Sequence, residues 1–135
     1  MRALFKNVDI MTKTLNASWK RDEVISNNIA NADTPNFKKS HVVFEELLQN
    51  QLKGRGIAGK TTHHNHIEIG RGNINNLTHK IVTPQNYQTR RDGNNVDIDV
   101  EMAELAKNTI TYNTVSTQLN NDIKRLKTVI NEGRR

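Results

Sequence analysis

The chain has 135 residues, of which 34% are hydrophobic and 4% aromatic, with a mean hydropathy of −0.75. Globular chains run at roughly 45–50% apolar, so a large self-contained core is excluded and part of the apolar surface is expected to be buried only against other chains. The net charge of +6 permits binding to nucleic acid or an acidic surface without requiring it, and the absence of cysteine excludes disulfides and thiolate metal sites.

The opening stretch, Met1-Arg2-Ala3-Leu4-Phe5-Lys6-Asn7-Val8-Asp9, has neither an apolar run of signal-peptide length nor a small-residue cleavage site. No segment approaches the roughly 20 apolar residues of a membrane span. These features predict a cytoplasmic protein, or one that leaves the cell by a route that cleaves no signal.

From Leu4 the apolar residues step alternately by four and three: Leu4, Val8, Met11 and Leu15, then Ile25, Ile29 and Ala32, with Ser18 and Asp22 in the two polar slots. That spacing predicts a heptad seam on one long helix. Pro35 is expected to end it, and Asn36 suits a left-handed turn. Residues 42–52 read as one short amphipathic helix. Residues 54–95 are rich in Gly, Asn and Thr and read as loop, with Ile67-Glu68-Ile69 and His79-Lys80-Ile81-Val82 as weak strand candidates for a small hairpin.

The last third repeats the first. Leu105, Thr109, Tyr112, Ser116, Leu119, Ile123, Leu126 and Ile130 form a second series of the same period on a helix predicted from about Asp99 to Asn131. Acidic Asp97, Asp99 and Glu101 load its start, Lys124, Arg125 and Lys127 its end, and Gly133 is a stop signal. The fold expected is therefore mainly α: long terminal helices pairing as a coiled coil around an irregular, loop-rich insert with a short helix and a small β-hairpin. The organisation expected is 1–35, helix and motif; 36–95, insert; and 96–135, second helix.

Several side-chain groups invite a chemical reading. His63, His64 and His66, with His41 and His79 as additions, suggest a metal site, but adjacent histidines in a loop lack the spacing of a ligand set, and a solvated loop is the better reading. Asp92, Asn94, Asp97, Asp99 and Glu101 resemble a calcium loop until its positions are counted: the sixth is Asp97 instead of Gly and the twelfth is Ala103. Asp92-Gly93-Asn94 reads better as a turn. Gly54-Arg55-Gly56 and Gly70-Arg71-Gly72 favour a small basic nucleic-acid-binding protein, the main alternative, but two isolated copies almost without aromatics are thin support. No catalytic arrangement of nucleophile, base or paired carboxylates stands out, so neither enzyme activity nor a cofactor is expected.

One segment exceeds periodicity: Ser26-Asn27-Asn28-Ile29-Ala30-Asn31-Ala32-Asp33-Thr34-Pro35-Asn36-Phe37-Lys38. It resembles the signature of bacterial flagellar axial proteins. The block Asp92-Gly93-Asn94-Asn95-Val96-Asp97-Ile98-Asp99-Val100-Glu101-Met102, leading to Ala103 and Tyr112, is similar to the C-terminal block of the flagellar basal-body rod family, most of all its proximal members at the base of the rod. Asn36 stands where that family usually has Gly, and Phe37 where it often has Tyr.

The resemblance implies a self-assembling structural subunit of a hollow, torque-transmitting rod in the cell envelope. It also implies other rod subunits, the membrane ring and the export gate as partners, and type III export without a cleaved signal. Assembly is expected to use Leu4, Val8, Met11, Leu15, Ile25, Asn28, Ile29 and Asn31 at one end of the chain, and Leu105, Tyr112, Leu119, Ile123, Leu126 and Ile130 at the other. The amides of Asn27, Asn28 and Asn31 would bond a neighbour's backbone without burying charge.

Overall fold

A computed structural model describes residues 2–52, 77–84 and 91–133, with side chains from residue 5. Two long helices dominate it: α1, Arg2–Ala30, and α3, Ile98–Glu132. The 35 residues of α3 make a rod roughly 52 Å long. Asp97 caps α3, its side chain accepting from the backbone N–H groups of Asp99 and Val100, and Asp99 lies in the first turn where a negative charge meets the helix dipole. Gly133 ends the helix by donating its N–H to the Val129 carbonyl.

The two helices run antiparallel, as their cross-contacts show: Asn28 of α1 meets Glu101 of α3, and Ser18 meets Asn108. On α1 the expected seam is the one used. Val8, Met11, Leu15, Asp22 and Ile29 are half-buried, and Ser18, Ile25 and Ala32 are buried.

On α3 the phase differs from the expected series. Glu101 and Asn108 are buried, and Leu105, Val115, Leu119, Asp122 and Leu126 half-buried, whereas Thr109, Ile123 and Ile130 are exposed. Leu105, Leu119 and Leu126 belong to both series, but the alternate position lies one residue earlier in each heptad. The reason is polarity: Asn108 and Asp122 sit in seam positions, and an apolar count steps past them to Thr109 and Ile123.

The middle also differs in detail. The expected helix over 42–52 begins only at Glu45, forming α2, Glu45–Leu52, with Glu45 and Glu46 in its first turn. The residues before it form β1, His41–Val43, which pairs antiparallel with β2, Lys80–Val82, placing Val42 opposite Ile81. The second strand was legible. Its partner was not, because β1 is only three residues long and runs directly into a helix. Val42 and Phe44 point inward and are buried, alternating with exposed His41 and half-buried Val43. The strand candidate at Ile67–Ile69, His63, His64, His66, Arg55 and Arg71 lie outside the described residues.

α1 stops at Ala30, before Pro35, and the chain continues through turns in which Ala32 N donates to Ile29 O and Thr34 N to Asn31 O. Asn36 takes the left-handed conformation expected of it, with φ 62°.

Candidate functional site

The two distinctive sequence blocks meet. Asn36 N donates to Asp92 O at 2.9 Å, beside Gly93, whose φ is 78°. The backbone angle favours glycine, and a Cβ on Gly93 would lie 2.5 Å from Asn36 Oδ1, so that side chain would have to move.

Asn94 is the centre of the junction and is fully buried. The two N–H groups of its Nδ2 are shared among three carbonyls of the turn just past α1: Asn31 O and Ala32 O at 3.0 Å and Thr34 O at 2.8 Å. Its Oδ1 accepts from Val96 N at 2.7 Å. Carbonyls at a helix C-terminus lack partners within their own helix. Here turn N–H groups serve Asn31 O and Thr34 O, and one side chain from the other end of the sequence adds a donor to the same carbonyls.

Around this centre the contacts continue in both directions. Asn95 Oδ1 accepts from Lys39 N at 2.7 Å, and Lys38 Nζ donates to Gly93 O. Asn28 Nδ2 donates to Ser40 O at 2.8 Å and to Glu101 Oε2 at 2.9 Å, and Asn28 Oδ1 accepts from Ser40 N at 3.0 Å. Lys39 Nζ reaches Glu101 Oε1 at 3.2 Å, so the buried carboxylate has both a cation and an amide donor. Two turns along α3, Asn108 Nδ2 donates to Ser18 O at 2.8 Å and Asp22 Oδ1 at 2.7 Å. Arg21 then links outward to Glu45 at 2.7 Å. Burial pushes the Glu45 pKa up, but the hydrogen bond and charge of Arg21 together with backbone N–H donors at the start of α2 hold the carboxyl below its usual value.

Asn28 is therefore not positioned as sequence analysis expected. It is 1% exposed, and its amide is bonded to Ser40 and Glu101. Asn31 is half-buried and bonds locally, donating from Nδ2 to Asn27 O at 2.8 Å at the surface. Of the other residues expected at an assembly interface, Ile25 is buried, and Val8, Met11, Leu15, Ile29, Leu105, Leu119 and Leu126 are half-buried in the α1–α3 seam. The side chain of Leu4 lies outside the described residues. Tyr112, Ile123 and Ile130 remain outward, at 38%, 48% and 65% exposure.

Sequence reasoning missed Asn94, Asn95, Glu101 and Asn108 as structural centres. Glu101-Leu105-Asn108 follows the four-three step, and Asn108 meets the same polar slots, Ser18 and Asp22, that interrupt the α1 seam. That match was the available signal.

Outside the junction, large apolar side chains face outward: Phe5, Trp19, Met102, Ile110, Val129 and Ile130 are each more than half exposed. Among the described residues no three His, Asp or Glu side chains gather as metal ligands, and no helix is long and apolar enough to cross a membrane. His41 is exposed on β1, and His79 half-buried just before β2.

Comparison with known proteins agrees with the blocks. The family described as "Flagella basal body rod protein" matches residues 10–38. The "Flagellar basal body rod protein FlgB" of Bacillus subtilis is 40% identical over 114 residues, covering 84% of each chain. Its namesake in Aquifex aeolicus is 36% identical over 111 residues, covering 82% of each, and that of Yersinia enterocolitica 33% identical over 126 residues, covering 90% of each. With relatives this similar over most of its length, the chain belongs to the flagellar basal body rod protein family and is most like FlgB, the proximal rod protein.

Proposed function

We propose that this rod structural protein acts without catalysis, joining other rod subunits in a hollow helical shaft that transmits torque and conducts exported subunits. The observation that carries the reading is a mismatch of surfaces. Among the described residues seven apolar side chains are buried, while twelve large ones stay exposed, most of them on α1 and α3. Eight of the twelve lie on α3 alone, which suits a helix that packs against neighbours, and helical subunits that meet head to tail build open filaments. The polar junction suits the same role, because it fixes the antiparallel helix pair without consuming the apolar residues beyond it.

The partners of this reading are neighbouring rod subunits, the membrane ring and the export gate. The chain would reach the periplasmic part of the basal body through the flagellar export apparatus with no cleaved signal. Fractionation tests it: the intact chain, retaining Met1 or losing no more than that residue, should co-purify with basal bodies. A chain confined to the soluble cytoplasm of flagellated cells would refute it.

A further inference from the structure

Trp19 is the only tryptophan of the chain and is 66% exposed. Tryptophan is highly buried on average, and at interfaces it is enriched among the few side chains that carry most of the binding energy. Its surroundings on α1 are open as well: Asn16, Glu23 and Ser26, on the same helix face, are all exposed.

The other side of the helix pair carries a groove of about 520 Å³ between β1 and α3. Val24 and Ile25 of α1, Val42 of β1 and Val100 of α3 give it aliphatic walls. Arg21 and Lys39 supply cations that can lie over a ring face, and Glu104 and Thr111 supply oxygens that can accept an indole N–H. At 3.6 residues per turn, Trp19 points roughly 120–160° around α1 from Arg21, Val24 and Ile25, so the groove is out of reach of its own chain's indole. The two features nevertheless stand at one height. Ser18, next to Trp19, accepts from Asn108, which lines the groove.

We propose that Trp19 of one copy anchors in the β1–α3 groove of a second copy lying beside it. An indole without a pocket and a pocket fitted to an indole are carried by the same chain, level with each other and on opposite sides. Copies that share one orientation therefore bring ring to groove with little shift along the helix axes. Because ring and groove belong to different surfaces, each copy gives its ring to one neighbour and receives a ring from another, and the contact repeats in an open series instead of closing a pair. The inference rests on the rod-subunit reading and supplies a side-to-side contact for it, leaving the apolar residues of α3 beyond Thr111 to other neighbours.

Photocross-linking tests it in assembled rods. Flagellated cells make the chain with the photoreactive p-benzoylphenylalanine, an aromatic of comparable bulk, in place of Trp19, and illuminated basal bodies are purified and analysed on gels and by mass spectrometry. The expected result is a product of twice the chain's mass whose link falls on groove residues of the second copy, such as Val42, Val100 or Thr111. The reverse placement, with the photoreactive residue at Thr111, should link to α1 of the second copy around Trp19. Basal bodies that contain the substituted chains but yield no self-linked product from either position overturn the proposal while leaving the rod reading intact. Linkage only to a different protein, or to a second copy only outside the groove, also overturns it. Absence of the unsubstituted chain from basal bodies overturns the rod reading, and this proposal with it.

Discussion

The two ends of the α1–α3 pair are built on different principles. Every buried residue described lies between 17 and 44 or between 93 and 108, at the end where α1 finishes and α3 begins. At the other end, residues 5–15 against 109–133, none is buried, and Val8, Met11, Leu15, Val115, Leu119 and Leu126 are only half covered. The first end is specified by directional bonds that leave one register possible. The second is a thin apolar seam that one chain cannot close. A subunit divided in this way has a fixed orientation at one end and surface left for its neighbours at the other.

Asn94→Ala is the strongest attack on that contrast. It removes the side-chain donor shared by Asn31 O, Ala32 O and Thr34 O and the acceptor of Val96 N, although Asn31 O keeps Thr34 N and Thr34 O keeps Phe37 N. With a cost of about 1–3 kcal/mol for each buried group left unpaired, partly recovered by water, a loss of about 3 kcal/mol is expected in urea unfolding. An effect below about 0.5 kcal/mol would show that the junction does not hold the helices.

Glu101→Leu comes next. It leaves Asn28 Nδ2 with only Ser40 O and removes the partner of Lys39, whose side chain is 32% exposed and can return to water. The expected cost is about 2 kcal/mol, with Glu101→Gln losing roughly half as much, because it keeps an acceptor. Equal losses for the two variants would mean that the charge, not the acceptor, matters.

At the thin end, Leu119→Ala should cost only about 1 kcal/mol, below the roughly 2–5 of a fully buried leucine. Amide hydrogen exchange should follow the same order, with α1 before Leu15 and α3 after Thr109 exchanging faster than residues 17–30 and 98–108. Uniform protection along both helices would erase the comparison.

The smallest expected effect is at the rim. The Glu45 pKa is lowered in the fold, so the contribution of its Arg21 pair is complete above the ordinary value of 4.5 and fades as pH falls through the lower folded value. Glu45 is largely exposed and the pair is screened by salt. Arg21→Gln should therefore reduce stability slightly at neutral pH and low salt, with the difference from the parent chain disappearing in acid.

The sequence made the thick and thin ends legible to different degrees. The α1 seam followed from spacing alone, because its polar slots, Ser18 and Asp22, interrupt an otherwise continuous apolar series. The α3 seam was read one residue late in each heptad because its facing positions include Glu101, Asn108 and Asp122, and apolar periodicity gives no weight to a polar residue that finds a partner. The left-handed turn at Asn36 and the turn at Gly93 were visible as local chemistry. That they lie against each other, with Asn94 bonding the end of α1, depends on contacts more than fifty residues apart in sequence, which no local pattern reports. The same holds for β1, whose partner strand lies across the whole insert.

Ile123 puts the division between a fixed end and an assembling end to its most direct test. It is 48% exposed, outside the α1-facing seam and in the half of the pair that has no buried residue. Ile123→Asp should change the unfolding free energy of the isolated chain by no more than about 0.5 kcal/mol, as an exposed site tolerates, and should leave secretion intact. Cells carrying it should nevertheless be non-motile and lack completed rods by electron microscopy, whereas exposed Lys107→Asp should swim. Normal swimming with intact rods in Ile123→Asp cells would contradict the account.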